Sequence, residues 1–305
     1  MNKIERVRAA LRGEEADHVP ASFWFHFPDA YKHGKAMVKA HLDYFQASGI
    51  DFLKVMNEHH YEANAEIKVA SDWRQVRPAP IGAAFYQAQL DEIKQIADQI
   101  GGEAMIVTTI FNPYSSANHA SGKLVTPHLK EDPRAVSQGL AAIAESLAVF
   151  SEACIQAGAS GIYFAAQGGE EERFTEEQFL RYIKPHDLAV LDAIKDSGEF
   201  HLLHICRERV RLPLYADYPG HAVNWAVTKN DLSLAEGKKL FQRPVIGGMD
   251  DRGVIISGPI EEIQAEVGQI IAGAGTRGFM LGADCTLPTD INLDHIRAAV
   301  EATQI

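Results

Sequence analysis

Short, β-rich apolar runs alternate with longer stretches of helical period along nearly the whole chain, and the alternation repeats eight times. The strand-like runs are VPASFWFHF (19–27), IDFLKVMN (50–57), AMIVTTIF (104–111) and GIYFAAQ (161–167). FHLLHIC (200–206), HAVNWAV (221–227), PVIGG (244–248) and RGFMLGA (277–283) follow. Helical segments are expected at 30–49, 89–102, 133–158, 175–198, 233–242, 258–275 and 290–303, with a further helix before the first strand. The helix at 175–198 opens on Thr175 with Gln178 three residues on, a capping-box signature. Eight such units are the pattern of a single (β/α)8 TIM barrel, an α/β fold that holds roughly 250 residues in one domain. We therefore read 1–305 as one domain. A doubly wound open sheet produces a similar string, but no Gly-rich dinucleotide fingerprint follows the first strand. Two stretches fit the alternation poorly, 58–88 and 111–132, and are read as irregular insertions in the early βα loops.

Charge narrows the partners. Forty-one acidic residues against 29 Lys and Arg leave a formal net charge of −12. Nucleic acid and anionic membranes both require clustered cations, so neither is expected as a partner. No apolar run approaches the roughly 18 residues that span a bilayer. The start, MNKIERVRAALRGEEADHVP, is charged and helical, unlike a secretory signal. Three cysteines are too few and too odd for a disulfide scaffold, which fits a reducing cytoplasm and leaves metal or catalytic roles open. Monomer and homodimer are both compatible with this composition.

Two of those cysteines sit where barrels place their chemistry. His204 and Cys206 are two residues apart at the C-terminal end of the fifth run, so they share a face. His201 lies on the other face. Cys285 falls just past the eighth run, in a loop that a closed barrel would open onto the same end. Three soft ligands with one open position are the pattern of catalytic zinc. Cys154, in a helix, reads as core packing.

The order H-I-C (204–206) followed by ADCTLP around Cys285 resembles the His-x-Cys…Cys zinc motif of the methylcobamide:thiol methyltransferases, of the coenzyme M type, in the uroporphyrinogen decarboxylase superfamily. KIERVRAALRGEEADHVP, FTEEQFLRYIKPH, AVNWAVTKNDLSLAEGKKLF…VIGGMD and GFMLGADCTLPTDINLDHI extend the resemblance over most of the chain. It implies Zn2+ held by His204, Cys206 and Cys285, and a small-molecule thiol activated for attack on a methyl group carried by a corrinoid such as methylcobalamin. No D-x-H-x-x-G stretch is present, so the corrinoid is expected free or on a separate protein. The decarboxylase branch, metal-free and acting on a tetrapyrrole carboxylate, is an alternative. It relies on arginines near the first strand, where VPASFWFHFPDAYKHGK has none. A non-catalytic barrel that binds a corrinoid or a thiol is a further alternative. Some relatives add a carboxylate ligand from the sixth strand, where this chain has Asn224.

Around that motif, Asp284 is a candidate for orienting His204, Glu58 for a catalytic carboxylate and Tyr163 for a catalytic hydroxyl. Asn57, Gln167, Asn224 and Asp250, at strand ends that face the mouth of a barrel, are candidate substrate contacts. His59 follows Asn57 in the same place. His26 and His119 read as structural or rim residues.

Overall fold

The computed structural model describes residues 1–304 and is built on seven parallel strands, each paired with the next in chain order. Helix α1 (Lys3–Leu11) and α2 (Gly34–Ser48) lead to β1 (Phe52–Val55) and α3 (Ala84–Ile100). Then come β2 (Met105–Phe111), α4 (Pro113–Ala120), α5 (Val125–Glu131), α6 (Pro133–Gln156) and β3 (Gly161–Ala166). The second half runs α7 (Glu176–Tyr182), α8 (Lys184–Ile194), β4 (Leu202–Ile205), β5 (Ala222–Trp225), α9 (Leu234–Phe241) and β6 (Val245–Met249). It ends with α10 (Val254–Ser257), α11 (Ile260–Ala274), β7 (Phe279–Ala283) and α12 (Leu293–Glu301).

The expected eight-stranded barrel needs correction. Residues 19–27 form no regular strand; they make isolated parallel bridges, Ala21 with Leu281 and Phe25 with Leu287. Pro20 offers no N–H to a ladder. The segment nevertheless meets both sheet edges. Ser22 N donates to Leu281 O and Leu281 N to Pro20 O, while Asp51 N donates to Ala21 O at the entrance to β1. The sheet is therefore curled into a half-barrel, and 19–27 lies across its seam. Four residues separate Ala21 from Phe25, but six separate Leu281 from Leu287. The surplus is taken up in the turn after β7 that carries Cys285.

The concave face is lined by Phe52, Met105, Val107, Tyr163, Leu202, Ala222, Ile246 and Met280. Val7 and Ala10 of α1 join this cluster and cover one end of it. The same helix carries Arg6, whose guanidinium reaches Asp51 Oδ1 at 2.5 Å and Asp17 Oδ1 at 2.7 Å. Asp51 Oδ2 accepts from Ala21 N. One buried carboxylate thus ties the N-terminal helix, the seam segment and β1 together.

One expected loop and one expected helix also differ. The 111–132 stretch holds α4 and α5. Asn112 caps α4 through Ser115 N, and Pro113 occupies its first turn, a start signal legible in the sequence. The 175–198 segment opens with the expected Thr175–Gln178 capping box but breaks at Ile183 into α7 and α8. The 58–88 insertion stays mostly irregular. It is anchored by Trp73, fully buried, whose Nε1 donates to His128 Nδ1 at 3.1 Å. The membrane expectation is also amended. The 24-residue α6 is long and apolar enough by composition to cross a bilayer, but its Val136, Leu140, Ile143, Leu147 and Phe150 are buried in the core.

The Arg6–Asp51 tie generates a stability prediction. Arg6→Met leaves Asp51 buried without its cation, which costs about 3 kcal/mol or more. Urea denaturation of the variant beside the unaltered protein measures it, and a loss below about 1 kcal/mol would contradict the assignment.

Candidate functional site

Register brings the inward residues of adjacent strands into line: Ala165 of β3, His204 of β4, Asn224 of β5 and Ile246 of β6 are successive partners. Asn224 is fully buried. Its Nδ2 donates to Ile246 O at 2.8 Å and to Ala283 O at 3.1 Å, so both amide protons are spent on carbonyls. Its Oδ1 must then accept, and it lies 2.5 Å from His204 Nδ1. The imidazole is thereby held as the Nδ1–H tautomer with the Nε2 lone pair free. Nε2 faces Cys285 Sγ at 3.6 Å.

Cys206 follows β4 and is placed by its backbone N–H, which donates to Ala166 O. The chain then turns sharply: Arg207 and Arg209 have φ of 89° and 52°, a region L side chains seldom occupy. One donor atom each from His204, Cys206 and Cys285 lies within 4.8 Å of the others. The two sulfurs titrate together. A hydrogen bond from the Cys206 thiol, with the imidazole alongside, holds Cys285 well below the ordinary thiol range, and the same bond and burial push Cys206 up. Soft sulfur, a free imidazole nitrogen and partial exposure of both cysteines match the donor chemistry of a zinc-class ion.

Tyr163 closes one side, its ring stacked on His204 at 5.0 Å between centroids. It is buried, and its hydroxyl has no hydrogen-bond partner among the described residues. On it rests Lys54 Nζ, 4.3 Å from the ring centroid and 3.0 Å from Met56 Sδ. Burial pushes the Lys54 pKa down to about 7, although Cys285, Glu58 and Cys206 pull it back up. The sequence reading passed over Lys54. Its signal was a lone cation at an inward position of an otherwise apolar strand, between Phe52 and Met56.

The remaining candidates are spread around this cluster. Asp284 does not orient His204; its Oδ2 accepts from Thr228 N and Oγ1, at 2.9 and 2.5 Å. Burial raises its pKa against those bonds. Asp284 also gathers with Asp250 and Asp251. Asp251 is paired with Lys229 and Arg252, and Asp250 Oδ1 accepts from Arg252 N. Glu58 Oε1 lies 2.5 Å from His26 Nδ1; burial opposes its ionisation, but His26, Lys32 and Lys54 together keep its pKa below the ordinary value. Asn57 has both side-chain ends engaged, donating to Thr109 O on β2 and accepting from His59 N in the loop after β1. Gln167 follows β3, and its carbonyl accepts from Asn112 Nδ2. Asn224, expected at the substrate, has its polar atoms fully engaged by His204 and two carbonyls.

The fold has counterparts among known proteins. The methylcobamide:CoM methyltransferase MtbA of Methanosarcina mazei is 20% identical, over 89% of each chain. A solved methyltransferase from Methanosarcina mazei superposes with a TM-score of 0.81 at 20% identity, over 99% of this chain and 98% of that one. A B12-independent methionine synthase from Shewanella sp. W3-18-1 shares the fold at a TM-score of 0.63 and 11% identity, over 94% and 96%. Residues 45–304 match the family described as Uroporphyrinogen decarboxylase (URO-D), and the chain belongs to that family.

Proposed function

We propose that this protein is a zinc-dependent methyltransferase, which activates a small thiol for attack on a methyl group borne by a corrinoid. The observation that carries the reading is the meeting of His204, Cys206 and Cys285 with the imidazole held in its metal-binding tautomer by Asn224. That the Methanosarcina mazei relative is a methylcobamide:CoM methyltransferase supports the methyl donor and the thiol class.

His204 Nε2 and the two sulfurs would hold the ion, whose chemistry is to lower the pKa of an adjacent substrate thiol so that a thiolate exists at neutral pH. The chain's own residues do the rest. Asn224 keeps the ligand nitrogen unprotonated and aimed. Tyr163 packs the imidazole from the side and, with Trp24, keeps water from its far face. Lys54 supplies a buried positive charge beside two cysteinates, offsetting the negative charge that accumulates when a third thiolate joins them. In the transfer the thiol loses its proton, a sulfur–carbon bond forms, and the carbon–cobalt bond breaks with its electron pair left on cobalt. The corrinoid comes as substrate, free or on a separate protein.

Elemental analysis of the purified protein is the first test. A zinc ion that depends on the cysteines is expected: Cys206→Ser and Cys285→Ser each lower the bound metal by about one ion per chain, and the unaltered protein shows thiol-dependent demethylation of methylcobalamin. Metal content unaltered in both variants, or no demethylation by the zinc-loaded protein with any of a panel of thiols, contradicts the reading.

Two further outcomes follow from the neighbours. Asn224→Ala frees the imidazole and weakens zinc binding about 10- to 100-fold, read by chelator competition. Lys54→Met acts on stability with a definite sign. Between pH 7 and about 10 the unfolded chain binds a proton that the folded chain has released, so the unaltered protein gains stability as pH rises through that window. Below pH 7 both states are protonated and the full cost of the buried charge remains. In the metal-free protein, the advantage of Lys54→Met over lysine is therefore greatest below pH 7 and shrinks toward pH 10. A pH-independent difference would show that Lys54 is not buried as a cation.

A further inference from the structure

A second group of metal-ligating side chains lies apart from the cysteines. His33 stands at the N-terminal cap of α2, His59 in the insertion after β1, and Glu92 on α3. One ligand atom from each lies within 4.8 Å of the other two. Glu92 is 2% exposed. Its Oε1 accepts the backbone N–H of Gly34 at 2.5 Å, which turns Oε2 toward the imidazoles, and Oε2 meets His59 Nε2 at 3.0 Å. The His33 and His59 rings lie against each other with centroids 4.7 Å apart. His59 is steadied from behind, its backbone N–H donating to Asn57 Oδ1.

This geometry is close to that of a bound ion. Zinc–nitrogen and zinc–oxygen bonds of about 2.0–2.2 Å put tetrahedral ligand atoms roughly 3.3 Å apart, near the His59–Glu92 separation. Two imidazoles and one carboxylate suit a transition-series dication and disfavour Mg2+ and Ca2+, which ask for oxygen ligands throughout. The exposure of His33 leaves the remaining coordination positions to water. Contrast the Asp250–Asp251–Asp284 group, whose charge is already met by Lys229 and Arg252.

We infer that His33, His59 and Glu92 form a second metal site, for a zinc-class divalent ion, that clasps the start of the 58–88 insertion to α2 and α3. The ion takes the place of the proton between His59 Nε2 and Glu92 Oε2, and that proton leaves to solvent. The clasp joins three elements that no other ion pair in this region connects to the insertion through His59. Neighbouring Glu58, with His26 beside it, is held in the same stretch of backbone. The inference stands independently of the cysteine site and of the methyl-transfer reading.

Cobalt(II) substitution separates the two sites within one chain. Cobalt on thiolates absorbs intensely in the near ultraviolet, whereas cobalt on nitrogen and oxygen gives only weak visible bands. The full chain carrying Cys206→Ser and Cys285→Ser is titrated with Co2+ and with Zn2+, following absorbance and bound metal. One ion per chain is expected, without the thiolate band, and with slower proteolytic cleavage in 58–88. His33→Gln, a surface change, should weaken that binding at least tenfold, and Glu92→Gln should do the same. In the chain with intact cysteines, His33→Gln should lower the total from two ions to one while the thiolate band persists, which covers the case in which the cysteine variant fails to fold. No ion bound at micromolar concentration by the cysteine variant, or binding unaltered by His33→Gln and Glu92→Gln, overturns the inference.

Discussion

A single buried amide governs the candidate centre. Asn224 sits where β4, β6 and the end of β7 come together, and its two amide protons and its oxygen each have one partner. Because carbonyls can only accept, the amide nitrogen must face Ile246 and Ala283; because the oxygen then faces His204, that ring must carry its proton on Nδ1. An unsatisfied buried amide would cost on the order of 1–3 kcal/mol, so the arrangement is steep as well as directional. An acid at this position could ligate a metal directly. The amide instead gives up ligation for orientation, which leaves an imidazole and two sulfurs as the donor set.

The second constraint is a mismatch in length. Residues 21–25 and 281–287 are pinned at both ends, yet one path is two residues longer. The excess has to leave the ladder, and Asp284 and Cys285 stand on it. Asp284 is in turn held by Thr228, so the turn is fixed from the β5 side as well. Cys285 thus reaches His204 through the failure of 19–27 to pair as a regular strand. Across from it, Lys54 is a cation buried with aromatic rings and a thioether for company and no carboxylate in contact. Such a charge is expensive unless negative charge gathers nearby, and the two cysteines are the groups that can supply it.

Much of this was open to reading along the chain. The alternation of short apolar runs with stretches of helical period marks the principal helices and seven of the eight expected strands, because a parallel sheet covered by helices buries both faces of its strands. The Thr175–Gln178 capping box is equally local, and so was the Asn112–Pro113 start that the reading missed. His204 and Cys206 share a face by strand geometry alone. The 19–27 segment misled because its composition is that of a strand, while its pairing depends on two edges far away in sequence. The break at Ile183 is local as well: Pro185 stands in the first turn of α8, where its missing N–H and its ring interrupt a continuous helix.

What the sequence determined by itself was therefore the class of fold and the identity of the candidate soft ligands, since both follow from periodicity and side-chain chemistry. The tertiary structure alone decided their state. That Asn224 selects a tautomer, that Asp284 serves Thr228 and leaves His204 to Asn224, and that Lys54 is buried beside two sulfurs are consequences of register and curl. Residues 54, 204, 224 and 285 are separated by up to 231 positions, and only the closing of the sheet makes them neighbours. Hydrogen-bond direction and charge burial are properties of neighbours in space, and a linear chain does not specify them until it has folded.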